Sequence, residues 1–156
     1  MKQLNIALVA HDARKKEFVE WVEGNVGLLE PHRMYATGTT GRLISEITTP
    51  DGRRPFADRV VRLLSGPLGG DQQIGAMIAK RRIDMLIFFC DNLVMQGHQN
   101  DVSALTRLAS LYNIAFATNR TTADLILSSS RLIDGYEVQV PQCVADYTHR
   151  DLAECL

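Results

Sequence analysis

Ser65-Gly66-Pro67-Leu68-Gly69-Gly70-Asp71-Gln72-Gln73-Ile74-Gly75 lies between the apolar run Val60-Val61-Arg62-Leu63-Leu64 and an amphipathic segment with Ile74, Met77 and Ile78 at helical spacing. An apolar run, a turn rich in glycine and proline, and a helical period together predict a strand, a tight loop and a helix start. Glycines at such a junction let backbone N–H groups come close to a ligand, and a helix N-terminus favours an anion. Phosphate is therefore the ligand class that the stretch suggests. Asp71 sits awkwardly in that picture, because a carboxylate beside a phosphate cradle repels the ligand. It is either the helix N-cap, the commoner role for an aspartate at such a place, or a residue that does chemistry.

Working outward, the same alternation continues on both sides. Leu4 to Ala10 is a continuous apolar strand, after which Phe18, Trp21, Val22, Val26 and Leu29 recur on one helical face. A short strand around Met34-Tyr35-Ala36 leads into Thr37-Gly38-Thr39-Thr40-Gly41 and then a brief helix carrying Leu43, Ile44 and Ile47. Met85 to Phe89 is the next strand, followed by a polar loop through His98 and a helix with Val102, Leu105, Leu108, Ala109 and Tyr112. Ile114 to Thr118 is the last of these strands, and Thr121 with Asp124 forms a capping box for a helix holding Leu125 and Ile126. Apolar strands separated by helices predict an α/β fold: a three-layer α/β/α arrangement around a central, mostly parallel five-stranded sheet covered on both faces. In the tail, Val138 to Val140 reads as a short edge strand and Val144 to Glu154 as a helix. The turn residues from Thr48 to Pro55 mark a surface excursion and not a linker, so residues 1–156 read as a single domain.

Composition narrows the function classes. With 156 residues, 46% hydrophobic and 22% charged, and a formal net charge of -1, the chain reads as an ordinary soluble globular protein. No basic excess recommends nucleic acid, and no run approaches the roughly twenty apolar residues of a membrane span. The apolar part of the first ten residues is too short for a signal peptide, which predicts a cytoplasmic protein. Cys90, Cys143 and Cys155 are odd in number, widely spaced and outside any CxxC pair. That argues against a disulfide framework or a zinc site and leaves free thiols, with Cys90 at the end of a core strand.

In such folds ligands bind beyond the carboxyl ends of the strands. The loops there carry His11-Asp12-Ala13-Arg14-Lys15, then Thr37-Gly38-Thr39-Thr40, then Ser65 to Asp71, then Asp91 through His98 to Asp101. Hydroxyls, a lysine and glycine backbone on three loops would converge on one edge as a phosphate cradle. Each residue taken singly has a plainer role. Asp12 and Asp101 are placed to cap helices, Lys15 is more often a solvated side chain, and a threonine-rich turn can satisfy its own backbone. His98 alone is an exposed polar residue. It is their common position after strands that favours function; His32 and His149 lack it and read as structural.

These same residues carry a family resemblance. Ala10-His11-Asp12, Ala36-Thr37-Gly38-Thr39-Thr40-Gly41, the stretch Ser65 to Gly75, and Ala117-Thr118-Asn119 stand in order from about Asn5 to about Asp146, and the chain resembles the methylglyoxal synthase family. The resemblance implies conversion of dihydroxyacetone phosphate to methylglyoxal and inorganic phosphate, a carbon–oxygen lyase reaction with no cofactor and no metal. It implies that Asp71 is the base that removes a proton from the hydroxymethyl carbon. His98 would donate hydrogen bonds to the enediolate oxygens. Lys15, Thr37, Gly38, Thr39, Thr40, Ser65 and Gly66 would hold the phosphate, with His11 lining the substrate site. Asp12 and Asp101 would be supporting carboxylates, Asp101 orienting the site near His98. A homohexamer inhibited by phosphate is implied as well; Tyr112, Tyr136 and Tyr147 lie where surfaces could pack against neighbours.

The chemistry suits those residues. A carbon acid beside a carbonyl is weak, so aspartate can deprotonate it only if preorganised donors stabilise the enediolate. Two differences from the family pattern stand out: Asp91-Asn92-Leu93 and Gly97-His98-Gln99-Asn100-Asp101 lack its prolines, which predicts a looser loop, and Thr48 to Arg59 is longer. Two rivals share the fold or the intermediate. One is a non-catalytic module sensing a phosphorylated metabolite, which would have no use for a base beside its anion site; the other is an isomerase, which would differ in product.

Overall fold

The computed structural model describes residues 2–93, 97 and 99–149. Five strands, β1 (Asn5–Ala10), β2 (Arg33–Thr37), β3 (Val60–Leu63), β4 (Met85–Phe89) and β5 (Ala115–Ala117), form one sheet in the order β3-β2-β1-β4-β5. Every pairing is parallel, so the sheet expected to be mostly parallel is wholly so. β1 is central because its residues from Ile6 to Ala10 are all buried, which a strand achieves only in a sheet covered on both faces. In register, Leu8 stands opposite Ala36 of β2 and Ile87 of β4.

The helices are α1 (Lys15–Gly24), α2 (Val26–Leu29), α3 (Gly38–Ser45), α4 (Gly70–Ala79), α5 (Gln99–Leu111), α6 (Arg120–Leu127), α7 (Ser130–Ile133) and α8 (Gln142–His149). The two-residue period of the strands sorts the core into two halves. Ile6, Leu8, Met34, Met85, Ile87 and Phe89 face Phe18, Trp21 and Val22 of α1, Leu29 of α2, Ile44 of α3 and Leu127 of α6. Ala7, Val9, Leu86 and Phe88 face Ile74 and Ile78 of α4 and Val102, Leu105 and Ala109 of α5. Trp21 fastens the first half: its indole N–H donates to Asp124 at 2.7 Å, tying α1 to α6. His32 is structural as expected, its Nδ1 accepting from the Leu4 N–H at 3.2 Å, and burial lowers its pKa below the usual histidine value.

Three expectations change. Val138 to Val140 is not a strand; Val138 packs its side chain against the second half of the core, and the Gln139 carbonyl accepts from the Asn113 side chain at 3.0 Å. The segment thus docks by a side chain instead of a ladder. Helix α6 is capped by Asn119 and not by Thr121, with the Asn119 side chain accepting from the Thr122 N–H at 2.9 Å. An asparagine in extended backbone, two residues beyond the end of β5, opens α6, and Asp124 is engaged with the indole instead. Helix α8 starts at Gln142, ahead of the expected Val144, and its expected end at Glu154 lies outside the described residues, as does Cys155.

The excursion after α3 is on the surface, yet one side chain roots it. Phe56 is fully buried in the first half of the core. Turn composition gave no hint of this, because a single aromatic in a polar segment has no period. Phe56→Ala is expected to cost about 3–5 kcal/mol through lost burial and the cavity left behind, read as a lower urea midpoint. A loss under about 1 kcal/mol would show the excursion to be unanchored.

Candidate active site

The chain steps from β1 outward to β2 and β3, then returns to β4 on the other side of β1. The loops leaving β1 and β4 therefore diverge, and a crevice opens between them at the carboxyl edge. The crevice has a volume of about 670 Å³. His11, Asp12, Lys15, Thr37, Thr39, Thr40, Ser65, Gly66, Asp71 and Asp101 all line it. Gly38 supports it from behind, and His98 lies outside the described residues.

The hydroxyl-bearing wall is made of two loops in contact. Helix α3 begins at Gly38, inside what the sequence suggested was a turn, with Thr37 as an extended N-cap that makes no side-chain capping bond. The Gly38 N–H is taken by the Leu64 carbonyl at 3.2 Å, so the N–H groups of Thr39 and Thr40 are the ones left without an intrahelical partner at the positive end of the helix, where an anion is favoured. A Cβ on Gly38 would lie 2.9 Å from the Cα and Cβ of Ser65, so the residue must be glycine for the two loops to meet. Thr37 and Thr40 are buried, which orients their hydroxyls by packing.

Asp71 is only 2% exposed. It is not an N-cap: α4 starts at Gly70, and the cap is Gly69 at φ 105°, with no side-chain capping bond. The commoner reading of Asp71 is thus overturned, for the left-handed turn at Gly69 starts the helix one residue before the aspartate. Gly70 explains how the turn closes. A Cβ there would fall 2.1 Å from the Leu64 carbonyl oxygen, so only glycine permits the helix to begin against the end of β3. The Leu64 N–H is in turn held by the Gln73 side chain at 2.9 Å.

The first loop carries a second departure from capping. Asp12 pairs with Lys15, whose ammonium holds the Asp12 carboxyl below the usual carboxylate range. His11 is 6% exposed, its ring edge-on to Phe88 at 5.0 Å between centroids. The backbone N–H of Asp91 donates to His11 Nδ1 at 2.8 Å, so in the neutral ring the proton resides on Nε2. Asp101 lies within the first turn of α5, which starts at Gln99 and not near Val102; its charge there suits the helix dipole instead of capping it.

Sequence reading missed Val9, Ala10, Pro67, Phe88 and Gly97 as lining residues. The alternation along β1 and β4 would have shown that Val9 and Phe88 share a face, but not that they reach the crevice. Cys90, at the end of β4, is buried, and that burial pushes its thiol up to about 11. Among the described residues no group of three or more His, Cys, Asp or Glu side chains is placed to hold a metal ion.

Known proteins resemble this chain in sequence and in fold. The family model of the MGS-like domain matches residues 17–118, a span holding the described site residues apart from those of the first loop. A methylglyoxal synthase of Proteus mirabilis (strain HI4320) is 48% identical over 137 residues, 88% of this chain and 85% of that protein. One from Leptospira interrogans serogroup Icterohaemorrhagiae serovar copenhageni is 50% identical over 132 residues, covering 85% and 84%. The crystal structure of methylglyoxal synthase from Elizabethkingia anophelis NUHP1 superposes with a TM-score of 0.81 at 44% identity, covering 96% of this chain and 92% of that one.

Two tests follow from the geometry. Gly70→Ala must push α4 off β3 and is expected to lose at least about 2 kcal/mol of stability in urea, whereas Gly24→Ala, with nothing within 4 Å, should lose none. Equal behaviour of the two would refute the close approach. In a Cys143→Ser/Cys155→Ser chain at pH 8, iodoacetamide should modify Cys90 on the order of a hundredfold more slowly in the native protein than in urea, since cover and a scarce thiolate both slow it. Equal rates would mean that Cys90 is open.

Proposed function

This chain belongs to the methylglyoxal synthase family, and from that premise we propose that it converts dihydroxyacetone phosphate to methylglyoxal and inorganic phosphate. The observation that carries the reading is a carboxylate, Asp71, 2% exposed and lining the same crevice as the hydroxyl-bearing Thr37, Thr39, Thr40 and Ser65. A site meant only to bind phosphate gains nothing from such a group. A site that takes a proton from the phosphate ester's own carbon skeleton requires it.

In this reading the phosphate lies against Thr37, Thr39, Thr40, Ser65 and Gly66, with Lys15 at its edge. Asp71 takes a proton from the hydroxymethyl carbon, and the electron pair moves onto the ketone oxygen to give an enediolate. Its donors are the Nε2–H of His11 and, by family resemblance, His98. Donors fixed beforehand stabilise the enediolate without reorganising. The former hydroxymethyl oxygen then gives its proton to the ketone oxygen and its electron pair closes the aldehyde carbonyl; the carbon–carbon double bond shifts to the other terminal carbon, whose bond to the bridging oxygen breaks, and the departing phosphate takes the proton held by Asp71. That requires the bond to stand perpendicular to the enediolate plane. The resulting enol takes up a proton at carbon and becomes methylglyoxal, so the reaction consumes no water and no oxidant. Asp101, at the crevice wall, would orient the donors.

A cytoplasmic homohexamer inhibited by the phosphate it releases completes the reading.

Incubating wild type and Asp71→Asn with dihydroxyacetone phosphate, while methylglyoxal and phosphate are followed together, tests the proposal. Wild type is expected to release the two in equal amounts and the variant to lose at least about a hundredfold in rate. Tight phosphate binding with no turnover would favour a sensing domain, and glyceraldehyde 3-phosphate as product would favour an isomerase.

A further inference from the structure

The Cys90–Asp91 peptide is gripped on both sides. Its N–H donates to His11 Nδ1 at 2.8 Å, and its carbonyl accepts from Arg14 Nη1 at 3.2 Å. Arg14 is in turn fixed. Its Nε and Nη2 both reach Glu17 Oε2, at 2.8 and 2.7 Å, and its guanidinium carbon lies 5.9 Å from the centre of the Phe89 ring. The preceding amide, that of Cys90, donates to the Thr118 carbonyl at 3.3 Å. Arg14 therefore spans from the loop after β1, which carries His11, to the end of β4, where His11 finds its backbone donor.

We infer that Arg14 is a positioning residue for the reaction: by holding the Cys90 carbonyl it fixes the peptide whose N–H selects the tautomer of His11. A peptide group is planar, so anchoring its oxygen sets the direction of its N–H. A cationic donor on the oxygen also polarises the group and makes the N–H a better donor. With Nδ1 committed as an acceptor, the neutral imidazole carries its proton on Nε2, the form able to donate to a substrate oxygen in the crevice. If the peptide turned, its carbonyl could face His11 instead, and the ring would reverse its tautomer and present an acceptor where the enediolate needs a donor. Arg14 touches neither substrate nor base. Its effect passes through one peptide to one ring.

The turnover part of the test rests on the synthase reading; the tautomer part does not. Protein labelled with ¹⁵N-histidine is compared as wild type, Arg14→Met, Arg14→Gln and Arg14→Lys, with the His11 signals assigned by their loss in His11→Gln. Wild type is expected to show Nε2 protonated and Nδ1 as acceptor. Arg14→Met keeps an apolar stem over Phe89 but cannot hold the carbonyl. It should populate the other tautomer and lose about tenfold or more in kcat with a smaller change in KM, as expected when a reacting group is misplaced. Arg14→Lys, still a cationic donor, should recover most of both. Arg14→Gln, shorter and uncharged, is read in the same way should the methionine variant not fold. An unchanged His11 tautomer in the folded Met or Gln variant overturns the proposal, whether activity persists or falls in step with thermal stability. Absence of turnover in wild type would overturn the synthase reading while leaving the tautomer comparison to decide the role of Arg14.

Discussion

The site depends on how closely the start of α4 lies against the end of β3. The Leu64 carbonyl accepts from the Gly38 N–H at 3.2 Å, and the same oxygen leaves no room for a side chain at residue 70. One backbone oxygen thus sets the distance between the threonine-bearing loop after β2 and the helix that carries Asp71. Ser65 closes the arrangement: its carbonyl accepts from both Leu68 and Gly70, at 2.9 and 3.0 Å. The threonine-bearing loop and the start of the helix that carries Asp71 are therefore held together by main-chain contacts. Their separation is fixed by peptide geometry and steric exclusion, which tolerate far less variation than long side chains do.

The rest of the fold makes that rigidity available. A fully buried β1 forces both sheet faces to be covered, and the covering helices pack the strand ends so that the loops beyond them cannot drift. The strand order brings β4 back beside β1, so the Asp91 amide meets His11 across 80 positions of sequence. On the other side of the sheet, Phe18, Trp21 and Phe89 form an aromatic cluster in which Phe18 meets Phe89 edge-on at 5.0 Å. Phe89 also lies beneath the Arg14 guanidinium. The core and the site share that ring, and packing beneath the sheet edge reaches the chemistry above it.

Much of this was legible beforehand, for physical reasons. Continuous apolar runs reveal a covered parallel sheet because both strand faces are buried, and glycines such as Gly70 reveal close approach because only they permit it. The tautomer of His11 was not legible. It depends on an amide far away in sequence, and backbone donors leave no mark in residue identity. Nor was the role of Arg14, which looks like any surface cation until its partner, a carbonyl, is located in space. The capping alternative at Asp71 and at Asp12, and the capping box expected at Thr121, fail for one reason: acidic and hydroxyl residues near a helix start have several competing partners, and local spacing cannot say which partner wins. Asp12 found Lys15, Asn119 took the cap of α6, and Gly69 opened α4 without a side chain.

The charges at the crevice bear on how a product leaves. Among the described lining residues Lys15 is the cation, and it is already paired with Asp12, while Asp71 and Asp101 add negative charge. On the proposed reading, a phosphate held there would owe its place mainly to neutral donors, namely hydroxyls and main-chain N–H groups, which bind more weakly than a cluster of guanidinium groups would. For a receptor that would be a poor arrangement. For an enzyme that must bind a phosphate ester and then discard free phosphate, it favours turnover over retention. On the proposed reading, Asp12 would compete with the ligand for Lys15, so that the ammonium keeps a carboxylate partner when phosphate departs.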